Sequence, residues 1–294
     1  MNRIYNILFS DTTKDRVEKG ILYLAIFSFI CHLILIFLSD WGLLGDGTTG
    51  ALLKNPISAI YTPFSFILIY EVYLLIYYVP KSFTTYITKQ YEIITLIIIR
   101  KLFKDLASLE LTTQWFEIKD DLQFTFDILA SLILFFLIFQ FQKGGSQTRA
   151  DEFTAGPSLT KFIQRKKIIA ILLIPLFLGL AIVTFSNWFI ELNLEPGQVT
   201  AFESVNNLFF DEFFTTLIMV DVILLLISFF YTDKFHIVMR NSGFIVSTIL
   251  IRLSFGVEGL ISTVLVVMAV LFGLLIIIIH NKFEKHEHRL NYIE

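Results

Sequence analysis

What most limits the fold of this chain is the length of its apolar runs, such as "ILYLAIFSFICHLILIFL" at 21–38 and "VLVVMAVLFGLLIIII" at 264–279. A helix of about 18–20 such residues is long enough to cross the hydrocarbon core of a bilayer. A soluble core of 294 residues does not need a chain that is 55% hydrophobic. The sequence reads as a polytopic, all-α integral membrane protein whose first partner is the lipid bilayer.

The formal net charge of −3 leaves no strongly basic face overall and argues against nucleic acid as a partner. Cys31 is the single cysteine and lies inside the first apolar run, so neither an internal disulfide nor a thiolate metal cluster is expected. Residues 1–19 mix Arg3, Lys14, Arg16 and Lys19 with Asp11, Asp15 and Glu18 and lack a signal-peptide pattern; the first crossing is expected to act as its own insertion signal.

Six long apolar segments stand out, at 20–39, 57–79, 122–142, 168–189, 212–231 and 257–280. Two more, 91–106 and 241–256, contain "YEIITLIIIR" and "GFIVSTILIR"; they are either short crossings or surface helices. The positive-inside rule separates these alternatives. If both cross, 17 of the 23 Lys and Arg fall on the inner side and 3 on the outer. If neither crosses, the division is 13 to 10. Eight crossings are therefore expected, with both termini and 143–167 in the cytoplasm, as for an inner-membrane protein. Trp41, Trp115 and Trp188 fall at outer ends or loops, at headgroup level in this arrangement.

The two arginine-ended segments belong to a longer correspondence. "LSDW" (38–41) parallels "FSNW" (185–188), "YEVYLLI" (70–76) parallels "VDVILLL" (220–226), and "FDILAS" (126–131) parallels "VEGLIS" (257–262), in the same order. The expected organisation is two tandem four-helix repeats, 20–142 and 168–280, each with a short third helix. An even number of crossings gives both the same orientation. They are joined by a flexible Gly/Ser/Thr-containing linker within 143–167 and flanked by an N-terminal segment (1–19) and a tail (281–294).

Each repeat then carries an acid in its second helix (Glu71, Asp221), an arginine in its third (Arg100, Arg252) and an acid in its fourth (Asp127, Glu258). Taking each third helix to begin near the start of its apolar run puts Glu71 and Arg100, like Asp221 and Arg252, roughly 12–15 Å above the inner surface. Asp127 and Glu258 come out nearer the outer face. An arginine at the bilayer centre costs about 2.5 kcal/mol or more, and a carboxylate at matched depth offsets much of it. The bland reading makes these pairs struts that fix helix register. The sharper one makes the six residues the lining of an ion path, because intramembrane ionisable residues commonly mark such routes.

The helix order, with an acid in the second helix and a short third, is similar to that of voltage-sensor four-helix domains, within each repeat and at the level of helix order alone. The fourth helices carry no arginine ladder, so voltage sensing is not implied and no family is assigned.

Elsewhere, His32 is expected to be a satisfied helix histidine, and His280, His286 and His288 to belong to a solvated tail. Pro63 and Pro175 are expected inside helices as tolerated kinks, and "MNRIYNILF" as an amphipathic helix on the inner surface. No Walker loop, dinucleotide fingerprint or HExxH is present, and no enzyme, cofactor or metal site is expected. The leading expectation is a channel or transporter for a small ion. The alternative is a non-conducting scaffold or sensor subunit, with a homo-oligomer or a membrane complex as its setting.

Overall fold

The computed structural model describes residues 2–42, 56–108, 119–149, 157–194, 202–232, 234–257 and 259–291, and among these there is no strand. A short α1 (Asn2–Leu8) precedes α2 (Asp11–Asp40). A 3₁₀ turn at Pro56–Ile60 leads into α3 (Tyr61–Tyr78), followed by α4 (Phe83–Ser108) and α5 (Lys119–Arg149). Then come α6 (Pro157–Leu194), α7 (Phe202–Phe229), α8 (Phe235–Phe255) and α9 (Leu260–Asn291).

Five of these, α2, α5, α7, α8 and α9, are long and apolar enough to cross a membrane, and α3 has a shorter apolar stretch at Thr62–Tyr78. The chain thus has the helices of a multi-pass membrane protein. The exposed faces say the same. On α5 the buried residues Asp127, Ala130, Leu134, Leu137, Ile138 and Phe141 form one stripe at helical spacing, while the opposite face shows Leu132, Phe135, Phe136 and Phe139. A helix apolar on both faces is stable only if its outward face meets lipid.

The elements form two units: Met1–Leu75 with Lys89–Phe136, and Ile76–Thr88 with Leu137–Glu294. In the first, Ser10 caps α2 by accepting the Thr13 N–H at 3.1 Å. The N-terminal segment is tied to α3: the Tyr73 hydroxyl donates to the Leu8 carbonyl (2.9 Å), and the Tyr70 hydroxyl donates to Glu18 (2.6 Å). His32 hydrogen-bonds Thr62, in keeping with a satisfied helix histidine. Pro63 departs from expectation. It stands in the first turn of α3, where its missing N–H removes no intrahelical bond, so it starts a helix and does not kink one. Pro175 does lie inside α6.

In the second unit, α8 packs most extensively on α9, and α7 packs on both α6 and α8. The linker differs from expectation. Helix α5 continues to Arg149 and α6 starts at Pro157, so the glycines of "KGGS" are helical. They serve close approach: a Cβ on Gly145 would lie 2.7 Å from Thr84 Cγ2, and one on Gly144 3.3 Å from Ile277 Cγ2. Asn281 on α9 donates to the Gly144 carbonyl at 3.0 Å.

Helix α4 is interior in its first half, and α8 is half interior, with Met239, Val246 and Leu253 exposed along one face. From Phe83 to Thr95 no side chain of α4 is exposed, and half of the α8 span is buried, the largest share among the five apolar helices. Both begin on a phenylalanine and carry an arginine 17 residues later: Phe83 with Arg100, Phe235 with Arg252. In this register four pairs are buried on both helices, Thr88 with Arg240, Tyr91 with Gly243, Ile93 with Ile245 and Thr95 with Ser247, whereas Phe83 and Ile87 are buried and their counterparts Phe235 and Met239 are exposed. A helix surrounded by protein tolerates polar side chains that a lipid-facing helix does not. That explains why α4, with its Thr, Gln and Lys residues, is less apolar than its neighbours.

Candidate functional site

In the first unit α3 holds Glu71 and α4 holds Arg100, and the guanidinium acts electrostatically on the carboxylate, which is 6% exposed. Their depths differ from the sequence estimate. Helix α4 starts at Phe83, well before its apolar run, so Arg100 lies about 25 Å along it, whereas Glu71 is about 10 Å from the end of α3 at Tyr78. Side chains on a helix lean toward its N-terminus, and that lean carries the Arg100 guanidinium back in the direction of Glu71.

Asp127, 1% exposed at the head of the α5 stripe, is engaged by Lys101, Nζ to Oδ2 at 3.1 Å. Gln123 Nε2, one turn earlier on α5, donates to its other oxygen at 2.8 Å. The expected pairs join Glu71 and Asp221 to arginines and give Asp127 no cation of its own. The signal was present, since Arg100 and Lys101 are adjacent and point about 100° apart around the helix, toward different neighbours.

In the second unit, Asp221 on α7 is 1% exposed, and the Thr248 hydroxyl of α8 reaches its Oδ2 at 3.5 Å while bonding the Ile245 carbonyl at 2.9 Å. Arg252, half-buried, stands in the last turn of α8. Glu258 lies outside the described residues. One residue before Thr248, the Ser247 hydroxyl donates across to the Ala269 carbonyl of α9 at 2.6 Å. The buried polar side chains thus concentrate on α4 (Thr84, Thr88, Gln90, Thr95) and α8 (Arg240, Asn241, Ser247, Thr248, Ser254), with the acids supplied by flanking helices.

A second polar group was not anticipated. Arg240 is 4% exposed, and its Nε and Nη2 both donate to Asn241 Oδ1 at 3.2 Å. Its Nη1 lies 3.2 Å from Nε2 of His280 on α9. A guanidinium only donates, so Nε2 accepts, and the ring proton resides on Nδ1, which faces the His236 carbonyl at 3.2 Å. His236 and His280 lie with ring centroids 5.1 Å apart, and His236 Nδ1 is 3.4 Å from Glu287, which also meets Lys234 at 3.3 Å. Glu284 is 3.8 Å from His280 Nε2.

His280 is therefore not part of a solvated tail: α9 continues to Asn291 and buries the ring, 2% exposed. The buried stripe Thr263, Val266, Val270, Ile277, His280 runs along α9, but in an all-apolar run such a stripe has no polar opposite face to reveal it. No group of three or more His, Cys, Asp or Glu suited to a metal ion occurs among the described residues. Chemically the cluster clamps the N-terminus of α8 to the far end of α9 and holds one guanidinium out of water.

Comparison with protein-family models, with curated proteins and with solved structures returns no match.

Proposed function

We propose that this is a channel or transporter for a small ion in a cytoplasmic membrane, built from two tandem four-helix repeats with eight crossings. In this reading α2–α5 and α6–α9 are the repeats, both termini and 143–167 face the cytoplasm, and α4 and α8 are the helices along which the ion moves. Glu71, Arg100, Asp127, Asp221, Arg252 and Glu258 line or gate the route, and the protein acts without a cofactor and is not an enzyme.

One observation carries the reading: buried polar side chains among apolar helices concentrate on α4 and α8, and two of them on each helix, Thr88 with Arg240 and Thr95 with Ser247, fall at matching distances from the helix start. A buried acid from the preceding helix accompanies each, Glu71 for α4 and Asp221 for α8. Polar groups at membrane depth are costly and ordinarily mark ion or proton routes. Packing alone is served by apolar residues at lower cost.

The rival reading, a non-conducting scaffold or sensor that recruits a partner, is favoured by the close Lys101–Asp127 and Arg240–His280 contacts, which serve equally well as struts. Ion flux into liposomes containing the purified chain, beside the Glu71→Gln/Asp221→Asn double variant, separates the two. Flux that the variant alters supports transport. A tight membrane around folded protein removes it, and stoichiometric partners in affinity purification then establish the scaffold.

A further inference from the structure

The structure brings together a basic cluster from two parts of the sequence. Lys166 of α6 is almost completely buried, 1% exposed. Its Nζ donates to the Lys81 carbonyl, in the turn between α3 and α4, at 2.8 Å, and lies 5.5 Å from the Phe83 ring and 5.1 Å from the Phe162 ring. This contact does two things. It joins the 79–82 turn to α6, so that the exposed Lys81 comes beside that helix. It also sets the rotation of α6, sending Lys161 and Arg165, four residues and about 40° apart, to one outer face. Arg165 is held there by the Tyr231 ring, 5.5 Å from its guanidinium carbon, and Phe162 packs on the same ring with centroids 5.4 Å apart. The stretches 76–88 and 157–167 contain Lys81, Lys161, Arg165, Lys166 and Lys167 and no acid. The apolar run of α6 begins at the next residue, Ile168, so Lys161 to Lys167 stand within about 10 Å of the hydrocarbon boundary.

We infer that Lys81, Lys161, Arg165 and Tyr231 form a binding site for a phosphate group, supplied by the headgroup of an anionic phospholipid in the adjoining leaflet. A fixed guanidinium presents a fork of donors to phosphate oxygens, lysines add charge, and a tyrosine at the boundary places its ring in the interface and its hydroxyl among headgroups. Clustered Lys and Arg beside a membrane helix attract anionic lipid strongly. The inference rests on α6 entering the bilayer at Ile168, as in the arrangement proposed above.

The test uses the full chain in phosphatidylcholine vesicles carrying spin-labelled lipids, with the motionally restricted fraction read by electron spin resonance. The wild type is expected to hold labelled phosphatidylglycerol about fivefold more strongly than labelled phosphatidylcholine, a preference that the Lys161→Gln/Arg165→Gln variant loses. A Lys14→Gln/Lys19→Gln control is expected to keep it. A preference that is unchanged in the Lys161→Gln/Arg165→Gln variant, or absent from the wild type, overturns the site. Raising the ionic strength of the wild-type sample provides a measurement independent of any variant: the preference must fall, and a salt-insensitive preference also overturns the site. Suppression by millimolar inorganic phosphate at constant ionic strength overturns the lipid assignment and makes a soluble phosphate compound the ligand. Impermeant-maleimide labelling of single cysteines at positions 161 and 176, in a Cys31→Ser background, tests the crossing separately. Labelling at 161 with protection at 176 is expected, so a failed crossing is distinguishable from a failed site.

Discussion

Helices α4 and α8 both bury polar side chains and satisfy them differently. Each starts on a phenylalanine and carries an arginine 17 residues later, and Thr88 with Arg240 and Thr95 with Ser247 are buried at matching distances from the start. On α4, the Thr88 and Thr95 hydroxyls turn back to their own helix, donating to Thr84 O at 2.8 Å and Tyr91 O at 3.0 Å. At the equivalent positions on α8, Arg240 reaches His280 and Ser247 reaches the Ala269 carbonyl, both on α9. The backbones differ similarly: α4 places Tyr91 where α8 has Gly243, and a Cβ on Gly243 would come within 2.8 Å of Ile276. Helix α8 is bonded across to its partner, whereas these α4 hydroxyls satisfy themselves within the helix.

The largest effect that would break this comparison is expected at His280. Replacing it with Ala leaves the buried Arg240 guanidinium short of an acceptor, and the loss of stability should be about 2–3 kcal/mol, measured by equilibrium unfolding in detergent. Thr88→Val, at the α4 counterpart of Arg240, should cost under about 1 kcal/mol. Equal losses in the two variants would mean that Arg240 does not depend on α9.

Close approach comes next. Gly243→Val forces three carbons against Ile276 and should destabilise by about 1–3 kcal/mol. Gly20→Ala, where nothing lies within 4 Å of the added Cβ, should be neutral or slightly stabilising. A Gly243→Val protein that unfolds with the wild type would show that α9 can shift without cost, and would remove the contrast with Tyr91.

Smaller still is the hydroxyl pair. Ser247→Ala should lose about 0.6–1.5 kcal/mol because the bond spans two helices, and Thr95→Val should lose less, because its bond duplicates what the helix already provides. Hydrogen exchange read by mass spectrometry sharpens the comparison without mutation: amides of 240–254 are expected to exchange more slowly than those of 98–108. The reverse order would make α4 the more tightly held helix.

The membrane class, the all-helical composition and the positions of the long apolar helices were legible in the sequence, because a crossing helix needs a run of apolar residues and little else. The buried acids Glu71, Asp127 and Asp221 were also legible as candidates, since a charge within such a run has no cheap alternative to burial. Three matters were not. The start of α4 at Phe83 was hidden because an interior helix is not required to be apolar throughout, and the depth estimate for Arg100 failed with it. The glycines at 144 and 145 read as a flexible linker because sequence does not distinguish a glycine chosen for freedom from one chosen for close approach. His280 read as tail because the residues that enclose it, Arg240 and His236, are some 40 positions away.

By itself, then, the sequence determined which segments are apolar enough to cross a membrane, since that depends on transfer of single side chains out of water and is additive along the run. Which polar groups meet one another was decided by tertiary structure alone. Asp127 with Lys101, Asp221 with Thr248, Arg240 with His280 and Lys166 with the Lys81 carbonyl depend on helix rotation and start point, and a shift of one residue turns a side chain by about 100° to a different neighbour.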